Sequence, residues 1–238
     1  MDGRAVYFRQ LLAGRDFAVG DPVATQMVNF SYALGDRTTG EAVLVDPAYA
    51  VDDLLATVGA DGLRLTGVLA THHHADHVGG SLMGHAIEGL AALLERGSVP
   101  VHAHRHEVES IQRSTGLSST DVVPHDGGDV VRVGHLEVRL LHTPGHTPGS
   151  QCFLVEGMLV SGDTLFLEGC GRTDLPGSDS AAMYESLRRL AGLPDDTAVF
   201  PGHRYSAASA AALEVVRETN YVLKPPTREA WLAAFAGR

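Results

Sequence analysis

The chain has 238 residues, 44% hydrophobic and 20% charged, with 18 basic against 29 acidic side chains and a formal net charge of −11. That length suits one large domain or two small ones, and the composition excludes disordered, fibrous and collagen-like classes. An acidic surface repels phosphate backbones, which argues against nucleic-acid binding, and two cysteines, Cys152 and Cys170, are too few for a disulfide framework or a cysteine-rich zinc site.

The opening stretch MDGRAVYFRQLLAGRDF alternates charged and apolar residues and lacks the apolar core of a secretory signal. No apolar run approaches about 20 residues, so no membrane-crossing helix is expected. The expectation is a cytoplasmic protein.

In chain order, MVNFSYALG and AVLVDPA read as strands joined by the polar turn DRTTGE. VDDLLATVGADG has helical spacing and a glycine stop. LTGVLATH is a short buried strand whose end delivers the stretch THHHADHVGG into a loop. SLMGHAIEGLAALLERG carries apolar residues at helical intervals up to Gly97 and is expected to be one helix. VPVHAH is a strand and RHEVESIQRS a short helix. From Asp129, DVVRVGHLEVRLLHTPGHTPGS alternates, turns at Gly134 and alternates again, and QCFLVEGMLVSGDTLF is a hairpin turning at Glu156-Gly157. SAAMYESLRRLAGL is a helix, TAVFPGH a strand and SAASAAALEVVRET a helix. Residues 220–238, with the only tryptophan, Trp231, form a terminal packing segment. No linker divides the chain, so residues 1–238 are read as a single layered α/β (α+β) domain.

Thr71 to Gly80 hold four histidines and an aspartate. Alternate residues of an extended loop point the same way, which pairs His72 with His74 and makes His73 a spacer. Asp76 and His77 are adjacent, so they diverge and are available to a second metal. Three further strand-end loops present donors: HTPGH with His146, SGDTLF with Asp163 and FPGHRY with His203. Imidazole and carboxylate suit zinc, iron or manganese. Seven donors exceed one tetrahedral metal and match two metals sharing a bridge.

The other histidines read differently. His102, His104 and His106 alternate along a strand-to-helix stretch with no carboxylate-bearing partner loop, so they read as a strand face. His142 is expected to support a ligand or the loop itself, and His85, His125 and His135 to lie at the surface. Arg172 and Asp174 read as an ion pair fixing their loop, and Cys170 as a small buried residue. Tyr205, two residues past His203, is placed either to donate to a substrate carbonyl or to pack at a helix start.

The segments THHHADH, HTPGHTPGS, GDTLF and PGHRY, in that order, resemble the motifs of the metallo-β-lactamase-fold hydrolases from about Val28 to about Tyr205. GDTLFLEGCGRTDLPGSD is similar to both glyoxalase II-like thioester hydrolases and persulfide dioxygenases. The resemblance implies a four-layer αββα sandwich holding two divalent metal ions, zinc ahead of iron or manganese. It places His72, His74 and His146 on the first metal, Asp76, His77 and His203 on the second, and Asp163 as the bridge. It further implies a hydroxide between the metals that attacks a small acyl-thioester or ester, with Asp76 and Asp163 orienting it; Tyr205, by its place after His203, is the third catalytic candidate.

The common class B β-lactamases carry cysteine where Asp163 stands, so a β-lactam is not the expected substrate. Gly171, Arg172, Thr173 and Asp174 depart from the glutathione-binding pattern, and only a short tail follows His203. The alternative is a mononuclear iron(II) persulfide dioxygenase on His72, His146 and Asp163. The presence of Asp76, His77, His203 and the pair Gly79-Gly80 favours the hydrolase. Expected partners are a small-molecule thioester or ester and, as a homo-oligomer, further copies of the chain, with no nucleic acid and no membrane.

Overall fold

The computed structural model describes residues 5–235. The first four residues of the expected domain and the last three of its terminal segment lie outside them. The chain gathers into two compact units. One holds the residues up to His125 with Val130–Val138, the other Asp126–Asp129 with Arg139 onward.

The first unit is built on a six-stranded sheet. Its elements are β1 (Val6–Leu12), α1 (Pro22–Met27), β2 (Phe30–Asp36), β3 (Glu41–Val45), α2 (Val51–Ala60), β4 (Arg64–Leu69) and α3 (Ala75–Val78). They continue with β5 (Gly80–Leu82), β6 (His85–Ile87), α4 (Leu90–Arg96), β7 (Val101–His104), α5 (Val108–Thr115) and β8 (Val122–His125). The sheet order is β1-β2-β3-β4-β7-β8. Its first two pairings are antiparallel and the remaining three parallel. The parallel half follows from the crossover helices α2, α4 and α5, whose Leu54, Val58, Leu90, Leu93 and Ile111 bury against Leu44, Val68 and Val101 of the strands. Strand β2 is buried at all seven positions, so both its faces are covered. A hairpin turning at Gly134, β9 (Val130–Val133) and the start of β10 (Leu136–His142), is also counted here.

The second unit takes up the rest of β10 and adds β11 (Gln151–Val155), β12 (Met158–Gly162), α6 (Ser180–Leu190), β13 (Ala198–Pro201), β14 (Ala211–Ala212), α7 (Leu213–Thr219) and α8 (Arg228–Phe235). Its strands run in the order β14-β13-β12-β11-β10. Helices α6, α7 and α8 cover them through Met183, Leu187, Leu190, Leu213, Val216 and Trp231. Helix α6 starts where Asp179 accepts the backbone N–H groups of Ala181 and Ala182, two donors that a helix start leaves unsatisfied. Among the described residues no helix is long and apolar enough to cross a membrane.

Two expected helices are shorter than their periodicity suggested. Residues 81–97 are not one helix: β5 and β6 form a hairpin and only Leu90–Arg96 is helical. Met83 and Gly84 take left-handed φ values of 50° and 84°, which suit a two-residue turn and not a helix. Likewise the helix expected from Ser206 begins only at Leu213, because Ala211 and Ala212 pair with Val199 and Ala198 of β13. The opening charge-apolar alternation is a strand, β1, and an unanticipated helix, α1, starts at Pro22 behind the capping Asp21.

Candidate metal centre

Each donor stretch follows a strand end, as the pattern required. His72 comes three residues after β4, His146 four after β10, Asp163 directly after β12 and His203 two after β13. All four are buried.

In the first unit, His72 Nε2 and His74 Nδ1 lie 3.1 Å apart, so the expected pairing of these two rings is met. The expected divergence of Asp76 and His77 is not. His74 caps α3, and a turn of helix brings Asp76 Oδ2 within 3.6 Å of His77 Nε2. An extended loop would have sent adjacent side chains apart; the helical turn turns both inward. The His72 and His77 rings are 4.1 Å apart at their centroids, so the donors of this loop form one group.

The hydrogen bonds decide which ring nitrogen faces that group. His77 Nδ1 lies 2.9 Å from Asp46 Oδ2. A carboxylate only accepts, so Nδ1 carries the proton and Nε2 the lone pair. Asp46 also accepts from the backbone N–H of Thr71 at 2.8 Å and its hydroxyl at 2.6 Å. With its proton committed to Asp46, the Thr71 oxygen accepts from His72 Nδ1 at 3.0 Å, which leaves the lone pair on His72 Nε2. Asn29 Nδ2 donates to Asp76 Oδ2 at 3.1 Å.

The second unit repeats this logic. His146 Nδ1 donates to the carbonyl of Arg172 at 2.9 Å, freeing Nε2, which stands 3.7 Å from Asp163 Oδ2. His203 Nε2 is 3.3 Å from the same oxygen. Asp163 is thus shared by two histidines. Close glycine packing holds it: a Cβ at Gly202 would strike Asp163 Oδ1, and one at Gly171 would strike the Asp163 carbonyl and the His146 ring. Arg172 makes two bonds to Asp174, at 2.8 and 2.7 Å, as the ion-pair reading required. Tyr205 is 54% exposed and stacks on His203, with ring centroids 4.8 Å apart and 5° between the planes.

The remaining histidines make contacts of their own. His102 and His125 face each other at 2.9 Å, and burial, with His125 beside it, lowers His102 to about 4. His104 is buried and its Nδ1 accepts the backbone N–H of His106. His142 Nε2 donates to the Pro148 carbonyl and closes its own loop. His135 is exposed and bonded to Asp36.

Four supporting residues escaped the sequence reading: Asn29, Asp46, Tyr49 and Glu107. Asp46 had a signal, an acid at the end of the buried strand AVLVD. Glu107 and Asn29 look like ordinary polar residues beside a helix and a strand.

The metallo-beta-lactamase superfamily matches residues 24–203. A hydroxyacylglutathione hydrolase of Rhodopseudomonas palustris is 39% identical over 183 residues, which cover 76% of this chain and 64% of the relative. The chain therefore spans somewhat less than two thirds of that relative's length. ETHE1 from Myxococcus xanthus superposes with a TM-score of 0.76 at 33% identity, covering 95% of this chain and 88% of that one. TTHA1623, solved in a di-iron-bound form, gives a TM-score of 0.64 at 32% identity over 82% of this chain and 95% of that one.

Proposed function

Because the chain belongs to the metallo-beta-lactamase superfamily and has its α/β fold, we propose that it is a metal-dependent hydrolase of a small acyl-thioester, acting as one domain over residues 1–238. In this reading His72, His74 and His146 hold one divalent cation, Asp76, His77 and His203 a second, and Asp163 serves both. The observation that carries it is the shared arrangement of His72, His77 and His146. Each commits Nδ1 to a fixed acceptor and keeps Nε2 for a ligand. Neutral imidazoles and carboxylates without thiolate fit zinc, with iron and manganese next.

Divalent cations held there supply Lewis acidity, ionising water near neutral pH and polarising a carbonyl. The protein's own groups do the rest. Asp76 and Asp163 offset the cationic charge and orient the attacking water. Tyr205, exposed beside His203, offers a phenol to the substrate carbonyl. A thiolate leaving group needs little help from a general acid. The relative named hydroxyacylglutathione hydrolase supports a glutathione thioester as the first substrate to try. The di-iron-bound form of TTHA1623 supports two cations.

The test is metal analysis of protein purified without added metal, followed by assays on S-lactoylglutathione and a panel of acyl-thioesters and esters, with and without chelator. Two cations per chain and chelator-sensitive thioester cleavage are expected. One iron per chain, no cleavage, and O2 uptake with a glutathione persulfide would replace this reading with the dioxygenase.

A further inference from the structure

We propose that Asn29, set by Tyr49, is a positioning residue that holds the Asp76 carboxylate and the His77 ring in their cation-binding orientation. The inference rests on the ligand assignment above.

Asn29 lies between α1 and β2, is 2% exposed, and its carbonyl accepts the N–H of Ala13. Its amide has two chemically different ends, and the surroundings fix which faces which way. The Tyr49 hydroxyl donates to Oδ1 at 3.1 Å. Nδ2 consequently points the other way, 3.1 Å from Asp76 Oδ2 and 3.4 Å from His77 Nε2. Both are acceptors: the first is a carboxylate oxygen, the second the lone-pair nitrogen of a ring whose Nδ1 proton is on Asp46. The two amide hydrogens are therefore aimed at two atoms that a cation would bind. An electropositive N–H pair keeps these atoms turned inward before a cation arrives. A cation competes for His77 Nε2, while Asp76, with two oxygens, can keep one on the amide and offer the other.

Tyr49 is itself fixed. It is 2% exposed, its backbone takes a left-handed φ of 69°, and its N–H donates to the Glu88 carbonyl at 2.6 Å. Asp46, three residues earlier, also has a left-handed φ, of 49°. Strained backbone persists where the surroundings over-determine it. The loop between β3 and α2 thus addresses both nitrogens of His77: Nδ1 directly through Asp46, and Nε2 through Tyr49 and Asn29.

The experiment uses the full chain stripped of metal and titrated with Zn2+ alone against a chromophoric chelator. Melting temperature and circular dichroism are recorded on the same samples. Tyr49→Phe deletes the hydroxyl that donates to Asn29 and keeps the shape of the ring. We expect it to bind two zinc ions, one with wild-type affinity and one weakened about ten-fold, and Asn29→Ala to weaken the same site further, by about 10–100-fold. Wild-type affinity at both sites in Tyr49→Phe, with or without a lower melting temperature, overturns the proposal, and that variant decides the matter if Asn29→Ala does not fold. Failure of the ligand assignment looks different: wild-type protein would bind fewer than two zinc ions, or His77→Ala would lose none.

Discussion

One oxygen of Glu107, a carboxylate with no exposed surface, accepts the backbone N–H of His73 at 2.8 Å and meets the ring Nδ1 of the same residue. The one histidine of the cluster assigned to no metal is therefore the anchor of the loop that carries the others. His73→Ala removes the ring bond and leaves the N–H bond. It should cost about 1–2 kcal/mol of stability in urea denaturation and leave cation content at the wild-type level. His72→Ala should lose cation instead. Equal cation loss in the two variants would show that the loop is parsed wrongly. Glu107→Ala removes both bonds and should be the least stable of the three.

Gly202→Ala should damage the centre without touching a donor. Its Cβ would strike Asp163 Oδ1 and the backbone of Gly162. Asp163 is shared by His146 and His203, so displacing it disturbs both. The expected result is lowered cation content and at least a ten-fold loss of thioesterase activity at nearly unchanged helix content. Wild-type cation affinity in this variant would mean that the Asp163 carboxylate moves aside freely.

Most of the donor stretches, and little of what holds them, were legible in the sequence. Donors sit in short segments that follow apolar strands, so His72, His146, Asp163 and His203 announce themselves by neighbours in the chain. Asn29, Asp46 and Glu107 act from 25 to 48 residues away, through contacts that no local spacing encodes. Periodicity failed in the same way at residues 81–97. The apolar spacing there is helical, but left-handed Met83 and Gly84 break the segment into a hairpin. Adjacent Asp76 and His77 were expected to diverge because the helical turn α3 has only four residues, too few to leave a periodic trace.

His203→Ala separates the two chemistries considered for the centre. If His203 holds the second cation, its loss should remove one cation equivalent and lower thioester hydrolysis by about 10²–10³-fold, a few kcal/mol of transition-state stabilisation. Metal analysis and the assay on one preparation read both effects. Retained cation with O2-dependent activity on a persulfide would take His203 out of the ligand set.

Burial pushes the Cys152 thiol up to about 11 and the Cys170 thiol up to about 12. At pH 8 the thiolate fractions are then about 10⁻³ and 10⁻⁴. A disulfide reagent should label neither at an appreciable rate in native protein and both after unfolding in guanidinium. The same shifts set an alkaline limit. Unfolded thiols ionise near about 8.5, so the contribution of these groups to stability is complete below that pH and is lost as pH rises through about 11 and 12. Replacing both by alanine should flatten the fall in stability above about pH 9. A fall as steep as in the wild type would assign the alkaline limit to other groups.

At the acid end the relevant group is Asp36. The Thr38 hydroxyl, then the His135 backbone N–H, hold its carboxyl well below the usual carboxylate range. A depressed folded value stabilises the protein above the unfolded pKa of about 3.9 and stops doing so as pH falls through the folded one. The stability gap between wild type and Asp36→Asn should therefore be full at pH 6 and close towards pH 2. A gap independent of pH would mean that the hydrogen bonds, and not the charge, carry the effect.

Trp231 is the sole tryptophan of the chain. Its indole N–H donates to the Val222 carbonyl, and Tyr184 and Phe235 flank it at 6.2 and 5.4 Å. Tryptophan emission is thus a reporter planted in the C-terminal half alone, whereas far-ultraviolet dichroism sums every helix and strand. A melt followed by emission records when α8 leaves its seat. It says nothing directly of the loop from His72 to His77. Following that loop by tryptophan fluorescence needs a second tryptophan introduced near it, and superposition of the two melting traces would then measure how cooperatively the chain unfolds.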